Sequence, residues 1–161
     1  MAFVYVSVAG DDKYQFFRDG RAAAVVVRVG YDETDNWFAH VGFDVIPPGD
    51  LQYYFFLCRV NAATGEETCY HSGRETAHFI HGEDRKHVLG AVLMATKVLL
   101  DHEKPKQVYR VTHDAALSNR ALEKHFEICA IFKANGYEVS RYDEYYGQRI
   151  WWMEYPEKGN M

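Results

Sequence analysis

The segment His81–Tyr155 constrains the fold most, because its hydrophobic period switches repeatedly and reads helix, strand, helix, strand, strand. Gly82 is a permissive start, and Glu83 and Asp84 place negative charge at the positive end of a helix dipole. Val88, Val92, Ala95 and Leu99 recur at helical spacing, widened by Leu89, Leu93, Thr96 and Leu100. Lys97 and His102 suit the C-terminal end, and Pro105 forbids continuation. A strand over Gln107–Thr112 follows. The second helix, over Leu117–Ala134, is expected to turn Ala121, Leu122, Phe126, Ile128, Cys129 and Phe132 inward, with Ser118 as N-cap. Asn135-Gly136 ends it, because both residues tolerate the left-handed conformation. The last strands are Tyr137–Arg141 and Arg149–Tyr155.

The residues before this segment supply strands for those helices to cover. Phe3–Val8 alternates like a half-buried strand. Tyr14–Arg18 and Arg21–Val29 flank Asp19-Gly20, a type I′ hairpin signal, with a short helix at Asp11–Phe17 as the competing reading. AAAVVVRV is continuous, which predicts a central strand covered on both faces. Trp37–Ile46 ends at Pro47-Pro48-Gly49, Leu51–Val60 is the most apolar strand, and Glu67–Tyr70 returns after a turn containing Gly65. With 161 residues, 48% hydrophobic, the chain suits one ordered domain. The expected class is α+β: a mainly antiparallel, twisted sheet, residues 1–80 a β-meander and 81–155 the segment above, covered by two main helices.

A formal charge of −5 argues against a surface that grips nucleic acid throughout. The basic set Arg18, Arg21, Arg28 and Arg59 lies on the meander, where Asp12 or Glu33 would neutralise it, and no nucleic-acid binding is expected. Cys58, Cys69 and Cys129 are odd in number and lack CxxC spacing, so buried free thiols in a reducing compartment are expected. The start has no basic n-region, and no apolar run is long enough for a bilayer, so a cytoplasmic location is expected.

The order of elements resembles the GNAT superfamily of N-acetyltransferases. That superfamily marks its cofactor loop with Arg/Gln-x-x-Gly-x-Gly/Ala, and the matching run here is Arg85-Lys-His-Val88-Leu-Gly90, with Val88 in place of the first glycine. Its second signature, Leu-Tyr-x-x-x-Gly-Phe, corresponds to Ile131-Phe132-Lys-Ala-Asn-Gly136-Tyr137, with Phe132 in place of the tyrosine that often serves as general acid. The resemblance covers the last half of the chain. It implies an acyltransferase using acetyl-CoA, with Arg85 and Gly90 at the pyrophosphate and Glu75 or His78 as base toward an amine acceptor.

Other clusters give weaker chemistry. His71, His78, His81 and His87 lie close in sequence, but a zinc site would want a further ligand from Cys69 or an acid, and no metal site is expected. His113-Asp114 follows a strand end, with Asp114 read as a helix start. Tyr142, Tyr145, Tyr146, Trp151, Trp152 and Tyr155 exceed what a core requires. Adjacent Trp151 and Trp152 point to opposite faces, one inward and one partly exposed. The alternative function is therefore a non-catalytic binding or inhibitory protein that meets a nucleic-acid-processing or defence enzyme through an acidic, aromatic surface including Tyr145, Tyr146, Trp151 and Trp152.

Overall fold

The structure is a computed structural model, and it describes residues 2–71, 73–112, 119–141 and 149–156. The N-terminal half builds the expected meander. A short β1 (Val4–Tyr5) and a single 3₁₀ turn precede β2 (Tyr14–Asp19), β3 (Ala22–Tyr31), β4 (Asp35–Ile46) and β5 (Asp50–Asn61). β6 (Glu67–Tyr70) folds back on β5, and a short α1 (Gly73–Thr76) leads to α2 (Glu83–His102). β7 (Gln107–Thr112), α3 (Asn119–Ala134), β8 (Glu138–Arg141) and β9 (Arg149–Glu154) complete the order. Among the described residues these strands form one mixed, mostly antiparallel sheet, β1-β3-β4-β5-β7-β9-β8, with β2 on β3 and β6 on β5. The class is α+β, and the sheet is open.

Strand alternation decides which face is covered. Val25, Val27, Val41 and Tyr53 point under α2 and α3, and Ala95, Leu99, Leu100, Ile128 and Phe132 meet them from the helices. Burying a side chain of this size contributes roughly 1.5–3 kcal/mol, so this single layer contact dominates cohesion. The opposite face carries Ala24, Val26, Phe38, His40, Tyr54 and Phe56, all partly exposed. The continuous run of β3 is thus covered on one face, not both. Its apolar outer positions reflect small or β-branched residues on a half-shielded strand.

Turn chemistry explains the boundaries. Asp19 pairs with Ala22, so the hairpin turn is Gly20-Arg21, one residue later than Asp19-Gly20, with Gly20 at φ 59°. At the end of α3, the Tyr137 N–H donates to the Phe132 carbonyl at 3.0 Å and the Gly136 N–H to the Lys133 carbonyl at 3.1 Å. Gly136 is left-handed at φ 94°, and the Phe132 and Tyr137 rings meet at 5.3 Å, which completes a Schellman stop with its apolar contact.

Two further expectations are corrected. Phe126 is 54% exposed, because the inward stripe of α3 runs through His125, Ile128, Cys129 and Phe132 and leaves position 126 at its edge. Cys58 and Cys69 are not free thiols: they face each other across β5 and β6, with Cα atoms 4.1 Å apart, and form a disulfide. Cys129 is the buried free thiol. Ser118, His113, Asp114, Tyr142, Tyr145 and Tyr146 lie outside the described residues, as do the side chains of Ala121 and Leu122. No helix among the described residues is long and apolar enough to cross a membrane.

Candidate functional site: a cationic notch beside β5

β5 has two edges with different fates. One pairs with β4 along twelve register positions, Asp50 to Asn61. The other is shared: β7 runs parallel to it with a single register pair, Gln52 opposite Tyr109, and β6 takes Leu57–Val60. Among the described residues, Tyr53–Phe56 between them have no register partner on β7 or β6, which leaves a notch in the sheet. Backbone N–H and C=O groups along such an edge are available to an extended polar ligand.

Cationic side chains from separate elements converge there. Arg110 of β7 lies 5.4 Å from the Tyr53 ring centroid and 4.9 Å from that of Phe55. Lys124 of α3 stands 5.9 Å from the Phe55 ring. Arg110 is partly exposed as a residue, yet its Nε is enclosed and has no hydrogen-bond partner among the described residues. Burial lowers the affinity of Arg110 for its proton, and the neighbouring groups that oppose this are Tyr53 and Cys129. Burial holds both phenol and thiol protonated, Tyr53 pushed up to about 12 and Cys129 to about 11, so neither supplies an anion near neutral pH. Burial also lowers the affinity of Lys124 for its proton, and the charges of Arg85 and Arg110 add to that. Lys124 on α3 therefore senses a cation on β7 and another in the first turn of α2, which favours an anionic ligand.

Behind the notch, the His125 ring packs against Trp151 with centroids 4.0 Å apart and planes tilted by 42°, and its Nε2 lies 3.3 Å from Cys129 Sγ. Burial, then the charge of Arg110, pushes His125 down to about 4, so the imidazole is neutral at pH 7. With Cys129 protonated, this pair packs the base of the site and holds no activated nucleophile.

The expected site residues are distributed unevenly. Arg85 joins the cationic set. Gly90 lies in the interior of α2, with open space where a β-carbon would stand, and helix bonding uses its N–H, so it offers no phosphate-binding loop. Glu75 and His78 are exposed, on α1 and in the turn after it, next in the chain to β6 at one end of the notch. Phe132 is fully buried against Tyr53 at 5.5 Å. Trp151 is 5% exposed and belongs to the core, so it leaves the expected surface set, whereas Trp152 points to the other face and stacks on Tyr109 at 5.9 Å. The meander arginines are engaged locally: Arg18 with Glu103, Arg21 with the Gly49 carbonyl, Arg28 with Asn36, and Arg59 with Asp35.

Arg110, Lys124 and His125 escaped the sequence reading. The available signal was parity: Arg110 shares its face with Val108, which is fully buried, so a charged side chain sits where the strand faces inward. No family model, curated protein or solved structure matches the chain.

Proposed function

We propose that the notch beside β5 binds an anionic acyl thioester of the coenzyme A type, on a GNAT-like scaffold, for transfer of the acyl group to an amine. The observation that carries the reading is Arg110: among the described residues its enclosed Nε has no partner, and its charge is met by aromatic rings instead of a carboxylate. The order β4-β5-β7-β9-β8, with α2 between β5 and β7 and α3 between β7 and β8, supports it. So does the parted parallel pair, whose free β5 edge suits the amide groups of a pantetheine arm. Lys124 and Arg85 would serve the ligand's phosphates.

In the transfer, the amine nitrogen attacks the thioester carbonyl, a C–N bond forms and the C–S bond breaks. Glu75 or His78 takes the amine proton and returns it through water to the departing thiolate, so that the products are the amide and the free thiol. Phe132 has no proton to give, which favours a second reading: a protein that binds the thioester, or another partner, without turnover. A thermal-shift titration with acetyl-CoA and desulfo-coenzyme A tests binding. At a hundred times Kd the ligand adds about 2.7 kcal/mol, a rise of roughly 5–10 °C for a chain of this size. Arg110→Ala and Lys124→Ala should abolish the rise, and a flat response of the wild type removes the proposal. A shift without acylation of any amine tested supports the second reading.

A further inference from the structure

The outer face of the sheet carries a cluster unrelated to the notch. Register places it: Phe38 of β4 opposes Cys58 of β5, Cys58 opposes Cys69 of β6, and Val60 opposes Glu67. His40 has the parity of Phe38, so His40, Cys58, Cys69 and Glu67 share one face across three neighbouring strands. A nitrogen of His40, Cys58 Sγ and a carboxylate oxygen of Glu67 all lie within 4.8 Å of one another. Cys69 Sγ is 3.3 Å from Glu67 Oε1. Ligand atoms around a tetrahedral zinc ion are separated by about 3.3–3.8 Å, given bond lengths of about 2.0–2.3 Å. His40, Cys58 and Glu67 thus stand within about an ångström of that spacing, and Cys69 neighbours Cys58 and Glu67, from which it can join them once the sulfur atoms are released from each other.

We propose that Cys58, Cys69, His40 and Glu67 form a redox-gated zinc-type metal site, closed while the Cys58–Cys69 disulfide is intact and opened by its reduction. A dithiol reductant supplies two electrons and two protons: the S–S bond breaks, two thiols form, and the reductant becomes a disulfide. The metal displaces both thiol protons and takes the thiolates, one imidazole nitrogen and one carboxylate oxygen. Donor chemistry fits, since two thiolates with imidazole and carboxylate suit a four-coordinate zinc site. His40 is stacked at 4.8 Å on Phe56, which orients its ring on this face of the sheet. Cys58 is fully buried while Glu67 is exposed, so the site has a dry floor and an entry side. The consequence is mechanical. β6, four residues long, is clipped to β5 by a covalent bond under oxidising conditions and by the metal under reducing ones. This assignment reverses the expectation of no metal site, and it uses His40, which lies apart in sequence from the histidines at 71–87.

The test is a cobalt titration of the full-length chain, reduced anaerobically with dithiothreitol and freed of it. The reduced protein should take one Co²⁺ per chain, with a thiolate-to-cobalt charge-transfer band and the intense visible bands of a tetrahedral site, and Zn²⁺ should bleach both. The oxidised protein should show neither. His40→Ala, Cys69→Ser and Glu67→Gln should each weaken binding by about tenfold or more. Glu67→Gln changes an exposed side chain and carries the test if the cysteine variant does not fold. A reduced protein without the thiolate band, an oxidised protein that binds equally well, or His40→Ala and Glu67→Gln variants that bind like wild type would each overturn the assignment.

Discussion

Thr96→Val in α2 and Tyr53→Phe in β5 remove the same hydrogen bond, yet the first is expected to cost more. The Thr96 hydroxyl donates its only proton to the Val92 carbonyl at 2.7 Å, and the Tyr53 oxygen lies 2.7 Å from the same hydroxyl. Tyr53 must therefore be the donor between them. Its hydroxyl stays protonated, since burial pushes it up to about 12. Tyr53→Phe leaves Thr96 still bonded to Val92 and loses one net bond, about 0.5–1.5 kcal/mol. Thr96→Val strands a phenol hydroxyl inside a fully buried residue, at about 1–3 kcal/mol. The double variant should be less destabilised than the sum of the singles by about 1 kcal/mol, because no orphan donor remains. Urea unfolding monitored by tryptophan fluorescence reads all of these, with roughly 2–4 °C of Tm per kcal/mol as an independent check. A Tyr53→Phe penalty equal to or larger than that of Thr96→Val, or strict additivity, would refute the assigned donor.

Further outcomes follow from the same packing. His125 is folded with a pKa of about 4 against an ordinary 6.5, so the unfolded chain binds more protons between these values. Its contribution is fully present above about pH 6.5 and is lost as pH falls toward 4, roughly 3 kcal/mol in all; urea midpoints at several pH values should steepen in that window, and His125→Gln should flatten them, while an unchanged profile would count against the buried neutral imidazole. Gly90→Ala should stabilise the chain by about 0.5–1 kcal/mol, since a methyl there meets nothing within 4 Å and helix propensity rises; a loss of stability in thermal melts would contradict that open environment. Gly42→Ala should do the opposite by about 1–3 kcal/mol, because its methyl would sit 2.5 Å from the backbone oxygen of Ala23, and a neutral urea curve would show that β3 can move aside.

Single residues show where sequence was sufficient. Val88, Val92, Ala95 and Leu99 fixed α2, and Asn135-Gly136 fixed the end of α3, since period and left-handed tolerance are local properties of the chain. Locality also bounds the errors: one residue is about 100° on a helix of 3.6 residues per turn, enough to carry Phe126 out of the stripe and bring His125 in. Cys58 and Cys69 read as unrelated thiols until the β5–β6 register set them opposite each other. Arg85, Arg110 and Lys124 likewise come from α2, β7 and α3, and only sheet order brings their charges together. Amino-acid order by itself determined the elements and the buried stripe of α2, because those depend on neighbours a few bonds away. Tertiary structure alone decided which edge of β5 stays open, which cysteines meet and which cations converge, because register and strand order depend on contacts between segments that the sequence keeps far apart.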